Sequence, residues 1–335
     1  MPNAVSLLRI GFAGAGYIAG VHAGVLAAQP GVAVAAVFDS SPTHTAEFAA
    51  KYGAQALPSY EALLGETDAV YICAPNVHHG AMAVAALQAG LHVFSEKPMA
   101  TTLAEAQRVR DAAALAKGSY QIGFNKRHAA VYTELHRRIA GGRLVPRWAS
   151  MKMNRGELLK PAWVGDASLT GGYLYETPIH LLDLARWLFG PPREVVCRAA
   201  ENSSRQLDDF AMIVTFASGL SATLCTSAHT TWLFPYERVE VYGEHAIAVS
   251  EEMDRVTFQL GLDAEPETLD VSAQPVPERW GYAAADAAFL AAVRGEREPA
   301  PGADVAERAV FFVDACYRAA ETGAAIVFEG EAAAG

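Results

Sequence analysis

The sequence holds 335 residues, of which 52% are hydrophobic and 19% charged. It is too long for one small module and too apolar for an intrinsically disordered chain, which combines low hydrophobicity with high charge. Lys and Arg number 26 against 37 Asp and Glu, a formal net charge of −11, which argues against nucleic acid and anionic lipid as partners. The four cysteines, Cys73, Cys197, Cys225 and Cys316, form no Cys-x-x-Cys pair and sit mostly in apolar runs. That is the pattern of buried, reduced thiols in a reducing compartment. Met1 to Arg9 lacks a basic segment leading into a long apolar run, and no uncharged apolar stretch reaches the roughly 18 residues of a membrane span. The expectation is a cytoplasmic protein without a leader or a spanning helix.

In chain order, the first part alternates short strands with helices. Strands are predicted at Leu7–Ala13, Val32–Phe38, Ala69–Cys73, His92–Ser95 and Tyr120–Phe124. Helices lie between them at Ile18–Ala28, Thr43–Tyr52, Gly80–Ala89 and from Thr102 to about Lys117. The last helix opens on a capping box, Thr102-Leu103-Ala104-Glu105. This order is that of a doubly wound parallel sheet, assigned to residues 1–124. From Asn125 the grammar changes. After a helix near 129–140, strands follow one another at Trp148–Met153, Glu194–Ala200, Phe210–Phe216, Ser221–Ser227, Arg238–Tyr242 and Val256–Leu260. Helices are predicted at Thr177–Phe189, about 283–294 and 305–322, and Glu329–Gly335 as a frayed tail. Strands in sequence predict a second α+β domain, residues 125–335, with an antiparallel or mixed sheet. If one face of that sheet is left without helices, it needs a partner, which points to a homo-oligomer.

The strongest local motif is Gly14-x-Gly16-x-x-Ala19, between the first strand and first helix. Gly14 allows the tight turn, Gly16 lets a pyrophosphate approach the backbone beside Tyr17 and Ile18, and Ala19 permits close packing. This is the Rossmann dinucleotide-binding fingerprint. Asp39 ends the second strand at the distance expected of the acid that binds a ribose 2′-hydroxyl. Ser40-Ser41-Pro42 after it offers no cation to a 2′-phosphate, so NAD is preferred over NADP. The third and fourth strands end on Ala74-Pro75-Asn76, with His79 following, and on Glu96-Lys97-Pro98. In a doubly wound sheet such loops flank the ligand.

Gly14 to His22, Ala74-Pro75-Asn76 with His79, Glu96-Lys97-Pro98 and Gly171 to Asp183 together resemble the Gfo/Idh/MocA oxidoreductase family, from Leu8 to about Phe328. The resemblance implies an N-terminal Rossmann domain and a C-terminal domain with a large, mostly antiparallel open sheet. It also implies NAD(P)-linked oxidation or reduction of sugars, polyols or related compounds, with Lys97 near the nicotinamide and the reacting oxygen. Around His180, Thr177 is read as a helix cap and Pro178 as the first helical residue. That sets Glu176 just before the helix and His180 one turn inside, where the dipole disfavours imidazolium and Asp183 at i+3 is placed to orient the ring. The plainer reading is a packed core histidine and a helix-start charge. The resemblance assigns an acid and a histidine four residues later to the substrate carbinol, but this chain has Glu176 for the usual Asp and Pro178 for the usual Gly.

Asn125, Lys126 and Arg127 resemble the family's Asn-x-Arg segment, with an interdomain salt bridge as the other role open to Arg127. Arg155, Lys160 and Trp163 lie in a loop over the expected substrate site, where Trp163 either stacks on a sugar or packs in the core. Tyr236, Trp280 and Tyr282 are further candidates. No His-Glu-x-x-His or Cys/His cluster occurs, so no metal is expected. The combined expectation is an NAD-dependent dehydrogenase of a sugar or cyclic polyol. Lys97, His180 and Glu176 are its catalytic residues, and Asn125, Arg127, Arg155 and Trp163 bind substrate alongside them. A homodimer or homotetramer forms through the C-terminal sheet. An NAD-dependent glycoside hydrolase of the same family and a non-catalytic sugar or NAD sensor stand as alternatives.

Overall fold

The structure is a computed structural model that describes residues 7–233 and 236–328. The expected tail Glu329–Gly335 and most of the Met1–Arg9 segment lie outside the described residues. The chain forms two compact units. The first joins the residues up to Phe124 to Tyr282–Val310, and the second joins Asn125–Gly281 to the residues from Phe311 onward.

The sheet of the first unit has six parallel strands: β1 (Leu8–Ala13), β2 (Val32–Phe38), β3 (Gln55–Ala56), β4 (Ala69–Ile72), β5 (His92–Ser95) and β6 (Tyr120–Ile122). Their order is β3-β2-β1-β4-β5-β6. The order reverses between β1 and β4, the place where ligands bind in such sheets. β4 is buried along its whole length, as a strand covered on both faces must be. Phe12, Tyr71 and Phe94 stack across β1, β4 and β5 with ring centroids 5.2 and 4.5 Å apart, and Phe289 meets Tyr71 edge-on at 5.4 Å.

Phe289 belongs to the late helix Tyr282–Val293, so the first core is not closed by the N-terminal residues alone. The continuous division into 1–124 and 125–335 therefore differs from the observed units. The chain returns after Gly281, and its returning segment is tied to β6 by Gln121 Nε2 donating to Ala285 O (2.9 Å) and Ile122 N to Pro301 O (3.0 Å). Helical periodicity shows which face of a helix is apolar, not which sheet it covers. β3, only two residues long, and the short helix Tyr60–Gly65 capped by Ser59 are too short to show a periodic pattern in sequence.

In the second unit nine strands form one sheet: β7 (Trp148–Met153), β8 (Pro192–Ala200), β9 (Asp209–Phe216), β10 (Ser221–Ser227), β11 (Glu237–Gly243), β12 (Ala246–Glu251), β13 (Arg255–Leu260), β14 (Glu267–Asp270) and β15 (Ile326–Val327). The order is β14-β13-β12-β11-β7-β10-β9-β8-β15, antiparallel except between β7 and β10. The hairpin between β11 and β12 turns through Glu244-His245, with His245 at φ 51°. It lacks the Asn-Gly or Gly-rich signature that marks such turns in sequence, so the sequence carries no local signal for a separate strand β12.

Alternation splits this sheet into two faces. Phe210, Met212, Val214 and Phe216 of β9 point inward, where Phe189 of the helix Ile179–Phe189 meets Phe216 at 5.5 Å and Tyr317 meets Phe210 at 5.5 Å. The other face carries Ile213 (55% exposed), Trp148, Lys152 and Cys225. Cys225 is exposed, against the expectation of buried thiols, because it falls on the outward register of β10. No described helix is long and apolar enough to cross a membrane.

Candidate functional site

The turn after β1 is built around Gly14. Its φ is +105°, and a Cβ there would lie 2.4 Å from the carbonyl oxygen of Cys73 at the end of β4. No side chain fits, and the turn is locked further by Gly14 N donating to Phe38 O at 2.8 Å. Gly16 is exposed and starts the helix Tyr17–Ala27 with no side-chain cap, and a Cβ on it would meet no protein atom within 4 Å. Packing within the protein thus does not require glycine at position 16. With no side-chain cap, the first amides of this helix have no partner within the helix, which suits an anion. Asp39 completes the cradle from the tip of β2. Its Oδ2 accepts from Ala15 N and its Oδ1 from Ser41 N, both at 2.8 Å. Those two bonds hold the carboxylate against the glycine turn and leave lone pairs for ribose hydroxyls. Tyr17 is exposed beside this turn and Ile18 half-buried.

The loops after β4 and β5 are joined to each other. His79 is buried, and its ring nitrogens stand 2.7 Å from Pro98 O and from Ala74 O. Burial lowers the pKa of this ring, while the two carbonyls and Glu96 work in the opposite direction. His79, expected to bind cofactor, instead fastens the Ala74-Pro75-Asn76 loop to the Glu96-Lys97-Pro98 loop, with both ring nitrogens used internally. Asn76 is buried at the start of the turn Asn76–His78, and Lys97 is half-buried before a cis peptide bond to Pro98. Glu96, also expected to face cofactor, is buried. Its Oε1 lies 3.2 Å from His22 Nε2 and its Oε2 accepts from Lys97 N at 3.2 Å.

In the second unit, Glu176 ends the short helix Tyr173–Glu176 and is buried. Gly172 before it has φ +110°, and a Cβ there would be 2.5 Å from the Tyr317 hydroxyl, which accepts from Leu174 N at 3.0 Å. Thr177 does not cap the next helix. Its hydroxyl donates to Glu176 Oε2, and Pro178 occupies the cap position, so helix Ile179–Phe189 begins one residue later than expected. His180 is half-buried in the first turn of that helix. Arg155, expected to bind substrate, reaches Glu176 Oε2 (3.3 Å), Thr177 Oγ1 (3.2 Å) and Glu157 O (2.9 Å). It closes over the Glu176 carboxylate and holds it as an ion pair. Lys160 and half-buried Trp163 follow in the same loop.

Asp183, expected to orient His180, is engaged by Arg127. Both its oxygens accept from Arg127, at 2.8 Å from Nε and 2.7 Å from Nη2, and Arg127 also lies 5.6 Å over the Trp187 ring. Arg127, expected to bind substrate, thus spends Nε and Nη2 on a bidentate ion pair with buried Asp183. Because both residues are in the second unit, the pair is not an interdomain bridge. Asn125 donates from Nδ2 to Trp280 O at 2.8 Å. Tyr236 lies against Trp232, and Tyr282 belongs to the first unit.

Two buried polar networks escaped sequence reading. His22, Tyr71, Glu96 and Asp286 form one, inside the first unit. Asp286 is the one charged residue in the otherwise apolar helix Tyr282–Val293, and that anomaly is the signal that would have found it. The other, inside the second unit, joins Lys126 and Tyr132, which both donate to Glu237, to Glu252, which accepts from Glu237 N at 3.3 Å. Asp208, Asp209 and His229 are the group of acids and histidine close enough to share an ion among the described residues. However, Asp208 is taken up by the amides of Asn202, Ser203 and Ser204, and Asp209 by His229.

Comparison with known proteins bears on both units. Residues 8–124 match the "Oxidoreductase family, NAD-binding Rossmann fold" model and residues 132–249 the "GFO/IDH/MocA C-terminal domain" model. The chain belongs to the GFO/IDH/MocA oxidoreductase family. Inositol 2-dehydrogenase of Rhizobium meliloti (strain 1021) is 27% identical over 326 residues, covering 93% of this chain and 96% of that protein. D-glucoside 3-dehydrogenase of Escherichia coli (strain K12) is 30% identical over 194 residues, covering 56% of this chain and 55% of that protein. Levoglucosan dehydrogenase, solved with NADH and levoglucosan, superposes with a TM-score of 0.87 at 19% identity over 96% of this chain and 99% of that one, a likeness of fold. The family's first domain binds NAD. The Gly14 turn, the uncapped helix after it and the anchored Asp39 are a donor and acceptor set that fits a dinucleotide. The family relatives named here are dehydrogenases, and neither the hydrolase nor the sensor alternative gains support from them.

Proposed function

We propose that this family member is a cytoplasmic NAD-dependent dehydrogenase acting on a secondary alcohol of a sugar or cyclic polyol, or on the matching ketone. The observation that carries the cofactor half is Asp39, fixed at 2.8 Å to the amide of Ala15 in the glycine turn. An acid held there accepts ribose hydroxyls and repels a 2′-phosphate. The substrate half rests on the similarity to inositol and glucoside dehydrogenases. Bound NAD supplies the hydride acceptor. His180 and Lys97 handle the proton of the reacting hydroxyl, the former as base and the latter as the positive group that favours alkoxide character. Glu176, held by Arg155, positions the sugar rather than moving a proton, because its carboxylate is already bonded to Arg155 and Thr177.

Self-association through the outward face of the nine-stranded sheet belongs to the same proposal. The support is that Ile213, Trp148 and Cys225 put exposed apolar side chains on that one face, where a second copy of the sheet could cover them.

The test is a panel of myo-inositol, D-glucose, glucose 6-phosphate, methyl glucosides and levoglucosan with NAD and NADP separately, following reduced nicotinamide absorbance. Turnover with NAD on at least one member is expected. Lys97→Ala and His180→Ala should each cost about 10² to 10⁴ in kcat with NAD binding retained. Full activity in both variants, or faster turnover with NADP, overturns the reading.

A further inference from the structure

We propose that His22 is a positioning residue: from the helix behind the glycine turn it holds the Glu96 carboxylate, and through Glu96 the backbone of Lys97, against the fixed anchor Asp286. The inference rests on the reading of Lys97 as a proton-handling group. His22 is fully buried, with Nδ1 2.7 Å from Asp286 Oδ1 and Nε2 3.2 Å from Glu96 Oε1. Tyr71 donates to the same Asp286 oxygen at 3.0 Å. On the far side of Glu96, Oε2 accepts from Lys97 N at 3.2 Å. A continuous chain of hydrogen bonds thus runs from the returning helix, through the first helix of the fold, to the amide of Lys97.

The chain is held rigid on every side. The imidazole has the rings of Tyr71, Phe94 and Tyr282 around it at 5.3, 5.0 and 5.6 Å, so it cannot swing to another partner. The Glu96 carboxylate is walled by Gly123, where a Cβ would stand 2.6 Å from Oε1. Burial alone would strip the imidazole of its second proton. The Asp286 and Glu96 carboxylates outweigh burial and push its pKa up to about 10. A doubly protonated ring donates from both nitrogens at once, which is what bridging two carboxylates requires. Substituting only one side leaves a buried carboxylate without its counter-charge, and that carboxylate is the one bonded to the amide of Lys97.

The test uses the full chain. In His22→Gln, the amide of Lys97 should exchange with solvent at least tenfold faster by hydrogen–deuterium exchange, while the amides of β1 keep their rates. With the best substrate of the panel above, kcat should fall about 10- to 100-fold and KM for NAD should stay within about threefold. If His22→Gln does not fold, Glu96→Gln carries the test. It keeps the size and an acceptor but removes the charge, and should lower kcat similarly. In protein carrying ¹³C-labelled histidine it should also make the His22 ring lose its proton at a lower pH than in the unaltered chain. Exchange and kcat unchanged in His22→Gln, exchange raised uniformly through the first unit, or Glu96→Gln with normal kcat and an unmoved His22 titration each overturn the proposal. Loss of the Lys97 assignment would appear separately, as full activity in Lys97→Ala. The Lys97 exchange measurement stands without any substrate.

Discussion

Glu252→Gln should make the protein markedly more stable at pH 8 and only slightly more stable at pH 5. Glu252 is buried in the second unit beside Glu237, and burial, helped by the neighbouring Glu237 charge, raises its pKa from 4.5 to about 7 against the pull of backbone amides and Lys126. Its Oε2 is buried without a hydrogen-bond partner among the described residues. Between pH 4.5 and 7 the unfolded chain gives up the proton while the folded one keeps it. The folded state then binds more protons, and stability falls as pH rises through that window. At about 1.4 kcal/mol per pH unit, the full loss is about 3 kcal/mol, complete above pH 7. Glutamine reproduces the protonated acid in size and keeps the acceptor for Glu237 N, so it should escape this loss. Urea unfolding of both proteins at pH 5, 6, 7 and 8 isolates the effect, because titrating groups that do not interact with Glu252 cancel in the difference. Parallel curves across that range, or a glutamine variant less stable at pH 8, would refute the reasoning.

Three further outcomes follow from geometry. Gly14→Ala places a methyl 2.4 Å from Cys73 O at a φ that alanine avoids, so NAD affinity, read by quenching of protein fluorescence, should fall at least tenfold; unchanged affinity would remove the turn from the cofactor site. Asp183→Asn leaves the partly buried Arg127 with half of its bidentate partner and should cost about 1–3 kcal/mol, seen as a lower thermal midpoint; an unchanged midpoint would remove the pair from the protein's stability. Ile213→Lys on the outward sheet face should shift sedimentation velocity towards the monomer with the circular dichroism spectrum retained; an unmoved sedimentation coefficient places any self-association elsewhere.

The parts of this molecule legible in sequence are those where chemistry is local. The glycine turn and Asp39 are set by backbone sterics and spacing along one βαβ unit, and the structure places Asp39 on the turn as that spacing requires. Strands β2, β5, β7 and β10 fall where alternation and β-branched residues put them. Legibility ends where a side chain has a choice of partner. Asp183 sits at i+3 from His180, yet bonds Arg127, 56 positions earlier in the chain. A guanidinium binding both carboxylate oxygens outcompetes a single bond to an imidazole. Arg155 looked like a substrate cation and is bonded to Glu176 and Thr177. His79 looked like a cofactor contact and joins two loops, because two carbonyls converge on it only once β4 and β5 lie side by side. Helix Tyr282–Val293 carries a clear helical pattern, but nothing in that pattern says that Phe289 and Asp286 complete a core begun more than 200 residues earlier.

That return has a consequence for how the chain is made. A ribosome releases the residues of β1 to β6 long before it releases Asp286 and Phe289. During that interval Tyr71 and Phe94 lack one of their packing partners, and His22 has only Glu96 to share its charge. The first unit of this protein is therefore the first to be synthesised and among the last to be finished. Nascent chains arrested near residue 281 should be cut by protease within the first 124 residues, and those extended past residue 310 should not.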